Sequence, residues 1–230
     1  MAEGAVLVVG GTGGIGREIA RHYSSDGAEV IITGRGQERS EAVASEVGGG
    51  VRGVGVDLAR PESIADALSG LGPVSRLVIT AVIRDHNPIR EYDVSTASDL
   101  VTMKMIGYSE TIHTLIPRFT DDASVVLYGG LAKERPYPGG LTIATVNGGI
   151  ATMINDLVVE LAPIRFNALH PGIVGDSPYW EGKDLQGIVD RTPTGRLTTM
   201  ADVVDATVFL LENRGINGVN LYIDGGWMRM

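Results

Sequence analysis

Short apolar runs alternate with longer stretches of helical period along most of the chain. Residues 6–9 are four consecutive apolar, mostly β-branched positions, the mark of a short strand buried on both faces. Five glycines in the seven positions 10–16 end that strand, because glycine has no side chain to pack and a large entropy cost of ordering. Around and beyond Gly16, Ile15, Ile19, Ala20 and Tyr23 fall on one helical face, and Gly27 is a natural stop. The chain therefore begins as strand, glycine-rich turn, helix.

The same rhythm continues. Residues 30–33 predict a second strand, 37–47 a polar helix ending in three glycines, and 51–56 a third strand closing on Asp57-Leu58. Pro61 introduces a short helix to Leu68, and 77–82 read as strand four. Ser95 can cap a long helix to about Leu115, with Leu100, Val101, Met105, Tyr108, Ile112 and Leu115 along one side. Strand five at 124–128 leads into Gly129-Gly130 and a proline-rich loop, followed by a second long helix at 142–161. Strand six at 165–169, an irregular lid-like stretch at 176–193, a helix at 201–211 and a last strand at 219–223 complete the pattern. Regular alternation of strands and helices implies an α/β fold: a parallel sheet covered on both faces, in one domain spanning 1–230.

Composition narrows the function. The 230 residues carry a net charge of −9 without a basic cluster, which argues against nucleic acid or an anionic membrane as partner. With no cysteine, thiol catalysis and disulfides are excluded. No signal segment and no run approaching 18 apolar residues is expected, so the cytoplasm is the default compartment. The four histidines are scattered, without metal-ligand spacing.

The turn at 10–16 carries the first candidate chemistry. Its spacing fits both Gly11-x-Gly13-x-x-Gly16 and Gly10-x-x-x-Gly14-x-Gly16. Such a turn lets backbone approach a pyrophosphate and aims the free N–H groups of a helix start at its charge, although glycine-rich turns also occur as plain tight turns. A dinucleotide fold chooses its cofactor at the end of strand two, where an acid would hold the ribose 2′-OH of NAD. Here that end reads Gly34-Arg35; Arg35 can pair with a 2′-phosphate, with Thr33 as an extra donor, and NADP(H) is favoured over NAD(H). The alternative is a solvated loop arginine.

Taken together, the glycine turn, Asp57-Leu58, the run from Glu160 to Asn167, Pro171-Gly172 and the ending at 219–226 resemble the short-chain dehydrogenase/reductase family over nearly the whole chain. The resemblance implies a seven-stranded Rossmann-type, doubly wound sheet, with Gly10, Thr12, Gly14, Ile15 and Gly16 around the phosphates. It further implies Asp57 and Leu58 at the adenine, Ala81 and Val82 along the cofactor, and Ile173 at the nicotinamide. Asp176 stands where the family often has a threonine for the carboxamide. A small-molecule substrate and a homodimer or homotetramer, formed through the two long helices, are implied as well.

The family's catalytic tetrad does not carry over. Its tyrosine and lysine fall on Ile143 and Asn147, its serine on Gly129 or Gly130, and its asparagine on Lys104. Lys104 and Asn147 thus exchange residue types relative to the family. An ammonium could reach the same region from the opposite helix; equally, Lys104 could snorkel to solvent or pair with a carboxylate. Tyr137 is the candidate replacement acid, or simply packed. His170 could titrate near neutrality or be structural, and Tyr179 and Trp180 would sit in the lid. Three readings remain open: an NADP(H)-dependent oxidoreductase with a rearranged acid, a nucleotide-binding sensing or scaffold protein, and a non-redox isomerase, dehydratase or cyclase.

Overall fold

The computed structural model describes residues 4–83 and 85–230. Its strands are β1 (Ala5–Val9), β2 (Val30–Gly34), β3 (Arg52–Gly55), β4 (Val74–Ile79), β5 (Phe119–Tyr128), β6 (Arg165–Pro171) and β7 (Asn220–Ile223). All pair in parallel in one sheet of order β3-β2-β1-β4-β5-β6-β7, the parallel sheet that the alternation of elements implied and the doubly wound Rossmann-type arrangement that the resemblance implied. The order reverses between β1 and β4. Crossover helices leave on opposite faces there, so a crevice opens beyond the strands' carboxyl ends.

Among the described residues eight α-helices surround the sheet: α1 (Gly14–Ser25), α2 (Gln37–Val47), α3 (Ile64–Leu68), α4 (Val94–Val101), α5 (Tyr108–Leu115), α6 (Leu141–Glu160), α7 (Gln186–Val189) and α8 (Met200–Glu212). Successive strand residues point to opposite faces, so one strand feeds two cores. Leu7 and Val9 join Leu77, Ile79, Val125 and Leu127 under α3 to α6, while Val6 and Val8 join Val78 and Val126 under α1, α2 and α8. Every residue of β1 is buried, which is why its sequence shows no polar alternation.

Several expected boundaries move. Asp93, rather than Ser95, caps α4: its Oδ1 accepts from the Ser95 and Thr96 amides at 2.8 and 3.2 Å, a contact worth about 1 kcal/mol. The long helix expected beyond it is interrupted by a π-helical stretch at Thr102–Gly107. β4 begins at Val74, so Ser75 and Arg76 are buried; the Arg76 guanidinium is held by both oxygens of Glu212 at 3.0 and 2.9 Å. No period along the strand reveals a partner 136 residues away. Residues 80–82, expected in β4, instead leave the sheet toward the crevice. Within 176–193 the short α7 interrupts the expected irregular stretch.

As expected, no run approaches 18 apolar residues; by length and composition alone α6 is the one helix among the described residues that could cross a membrane, with a mean hydropathy of 1.2 over 18 residues. It lies against the sheet, with Ile150 and Ile154 fully buried in the core.

Candidate active site

The crevice holds a cleft of about 1050 Å³, at the upper end of the roughly 300–1,000 Å³ usual for small-molecule sites. Its nucleotide end is made of backbone. A Cβ on Gly16 would lie 2.4 Å from the Gly10 carbonyl oxygen, so only glycine lets α1 start this close to the end of β1. Gly13 and Gly14, by contrast, face open space, and no side chain caps α1. Free N–H groups at a helix start beside an unfilled cradle fit a pyrophosphate. The residues present therefore fit the pyrophosphate of a dinucleotide.

Gly10, Thr12, Gly14, Ile15, Gly16, Arg35, Asp57, Leu58, Ala81, Val82 and Ile173 all line this cleft. Gly34 is required beside Thr12, whose side-chain methyl would lie 2.5 Å from an added Cβ. That leaves the exposed Arg35 side chain along the rim, and Arg60, which the sequence reading missed, lines the same end. Its only sequence signal is the Asp57 three residues earlier, which it approaches at 3.9 Å.

Side chains build the floor. The π-helical stretch adds one residue to a turn and so re-aims the side chains it carries; such insertions are common at functional sites. Lys104 sits within it and is buried, with 1% exposure, yet it lines the cleft. Its Nζ donates to the Tyr128 carbonyl at 2.9 Å and to Asn147 Oδ1 at 3.1 Å. The two residues whose types are exchanged thus meet directly. No carboxylate pairs with Lys104 among the described residues, and burial alone pulls its pKa from 10.5 to about 7. Neither snorkelling nor ion pairing occurs.

The expected serine positions have no room for a side chain. A Cβ on Gly129 would lie 2.3 Å from His170 Nδ1, and one on Gly130 2.8 Å from Asn147 Nδ2. The His170 ring fills that space. Its Nδ1 accepts from the Gly130 amide at 3.1 Å, and its Nε2 meets Asn220 Oδ1 at 2.9 Å, which assigns the neutral tautomer with the proton on Nε2. Burial, first of several causes, lowers its pKa from 6.5 to about 4, so it does not titrate near neutrality. Asn220 Nδ2 in turn donates to the Ala151 carbonyl of α6, tying β5, β6, β7 and α6 together.

Other candidates fall elsewhere. Tyr137 is 49% exposed and is not among the residues lining the cleft. Ile143 packs against the core. The Asp176 carboxylate accepts from the Met200 amide at 2.8 Å, at the start of α8, and is not among the residues lining the cleft. Tyr179 and Trp180 do line it, their rings edge to face at 4.7 Å. Asp99 and Met103, unmarked in the sequence reading, complete the wall near Lys104.

A family model described as "Enoyl-(Acyl carrier protein) reductase" matches residues 10–228. L-xylulose reductase of Bos taurus is 31% identical, over 99% of this chain and 98% of that protein. Carbonyl reductase [NADPH] 2 of Sus scrofa is 26% identical, over 96% of this chain and 95% of that protein. Among solved structures, 3-ketoacyl-(acyl-carrier-protein) reductase from Brucella melitensis, complexed with NADH, superposes with a TM-score of 0.86 at 25% identity, covering 98% of each chain.

Proposed function

The chain belongs to the short-chain dehydrogenase/reductase family, and from that premise we propose that it is an NADP(H)-dependent oxidoreductase of small apolar carbonyl compounds or the matching alcohols. In this reading the Lys104–Asn147 pair stands in for the missing tetrad. The single observation that carries it is the buried Nζ of Lys104 held by Asn147 and the Tyr128 carbonyl at the floor of the cleft. A nicotinamide dinucleotide, when bound, supplies or accepts the hydride. The chain's own residues position and polarise. The turn at 10–16 would hold the pyrophosphate, Arg35 the 2′-phosphate, Asp57 and Leu58 the adenine, and Ala81, Val82 and Ile173 the nicotinamide side.

Substrate class follows from the walls. Val82, Ile83, Met103, Tyr179 and Trp180 are apolar or aromatic, and Lys104 is the cation among the groups at this end. The stretch at 176–193 would act as the lid that excludes water from them. Residues 1–230 are read as one functional domain, cytoplasmic, without nucleic-acid or membrane partners. Assembly as a homodimer or homotetramer is consistent with the exposed Val101, Ile106 and Ile116 around α4 and α5.

A second reading, nucleotide binding without turnover, is favoured by one observation: His170 fills the place of a carbonyl-polarising hydroxyl at 129. Fluorescence titration with NADPH and NADH, followed by single-turnover incubation with a panel of apolar aldehydes and ketones, separates the two. Tighter NADPH binding and its oxidation by at least one carbonyl are expected. Binding without oxidation across the panel would leave the second reading. Failure to bind either nucleotide would overturn both.

A further inference from the structure

We propose that Lys104 is itself the proton donor of this site, and that an oxygen ligand reaching the floor of the cleft favours its proton-loaded form. The inference rests on the reductase reading and goes beyond it, to the atom that moves and the condition under which it moves. An ammonium has three N–H donors, and the protein offers Lys104 two acceptors, the Tyr128 carbonyl and Asn147 Oδ1. A neutral amine places both of its N–H donors on those two. The ammonium leaves one buried donor without a partner among the described residues, and an unpaired buried donor is costly. Lys104 lines the cleft, so the missing acceptor is whatever oxygen the cleft receives. Proton and ligand therefore bind cooperatively, and each raises the affinity for the other.

The surrounding groups leave this titration to Lys104. The Tyr108 ring lies 5.8 Å from Nζ on the same helical segment, and its hydroxyl donates to the Ala81 carbonyl. Burial raises the pKa of both Tyr108 and Tyr128, and the Tyr128 hydroxyl is bonded to Thr207 across the sheet. On β6, His170 is neutral in the working range. Asn147 on α6 does not titrate, and Asp99 lines the cleft from α4 without pairing to Lys104. Burial places the Lys104 amine near neutrality, where a donor is most effective.

The step balances simply. As hydride reaches the carbonyl carbon, the C=O π pair moves onto oxygen, and a new O–H bond forms with the Lys104 proton as its N–H bond breaks. The neutral amine keeps its two protein hydrogen bonds and regains a proton from solvent. Reduction then falls as pH rises through the Lys104 pKa, and alcohol oxidation rises through the same value.

The chain holds only three lysines, Lys104, Lys133 and Lys183, so lysine-specific ¹³C labelling gives three Cε signals to titrate by NMR. One signal, lost in Lys104→Met, is expected to titrate near pH 7 in the free protein. With NADPH and isobutyramide, a carbonyl that hydride does not reduce, its midpoint moves upward by about one pH unit, the shift matching one added charge-assisted hydrogen bond. Asn147→Leu, which removes one acceptor but keeps the lysine, moves it downward. In single-turnover reduction, Lys104→Met loses about 10²–10⁴-fold in rate and the pH dependence disappears. A Lys104 signal that titrates above pH 10, or one that isobutyramide leaves in place, would overturn the inference. So would unchanged single-turnover reduction by a folded Lys104→Met protein, which would also take the Lys104–Asn147 pair out of the reductase reading while leaving NADPH-dependent reduction itself in place. Failure of NADPH to bind, or of any carbonyl to be reduced by the wild type, would instead remove the reading beneath it.

Discussion

The two ends of the cleft are built from different material. At the nucleotide end, contact distances are set by backbone: the start of α1 packs against the Gly10 carbonyl, and open space lies beside Gly13 and Gly14. At the floor, four strands and helices each contribute a side chain that depends on another, from Lys104 to Asn147 and from His170 to Asn220 and the α6 backbone. A backbone-built site fails when a side chain is added. A side-chain-built site fails when one is changed alone, and can recover when its neighbour changes with it.

Gly16→Ala is expected to have the largest effect. Its methyl has no space beside the Gly10 carbonyl, so nucleotide binding should be lost and stability should fall by about 2–4 kcal/mol. Gly13→Ala meets nothing within 4 Å and should keep the melting temperature while weakening NADPH binding. Wild-type affinity in Gly16→Ala would break the contrast at its nucleotide end.

Gly129→Ser comes next, with about 1–3 kcal/mol lost in urea unfolding because His170 already occupies the space. The double variant Gly129→Ser/His170→Ala should recover at least half of that loss. If the double variant is no more stable than the single one, the floor is not a set of exchangeable side chains.

Lys104→Met sharpens the comparison through pH. The folded pKa of Lys104 is depressed, so the unfolded chain binds more protons between about pH 7 and 10.5, and wild-type stability rises with pH across that window. The variant lacks this slope, so the stability difference between the two should shift in favour of wild type as pH rises from about 7 toward 10.5. His170 gives a slope of the same sign lower down: wild-type stability falls as pH drops from 6.5 toward about 4. Thermal melts across both ranges check the two slopes.

Smaller effects test the rims. Arg35→Ala should weaken NADPH binding about tenfold and leave NADH nearly unchanged, as one charged contact is lost. Tyr137→Phe should change single-turnover rates less than twofold, since that residue does not line the cleft.

Much of this molecule follows from the chain read alone, because the features concerned are local. The strand–glycine–helix start, the β/α alternation and the Gly34-Arg35 end of β2 are each set by neighbours in sequence, where period and glycine spacing carry the signal. The cleft lining at Ala81, Val82 and Ile173 followed from the resemblance rather than from any local pattern. Tertiary structure decided the rest. It buried Arg76 against Glu212, moved the helix cap to Asp93, put a π-helical turn under Lys104 and left Tyr137 out of the cleft lining. It also placed the His170 ring where position 129 would need a side chain, across 41 residues of sequence. Burial and the meeting of distant side chains set those outcomes, and neither has a period that a single strand or helix can display.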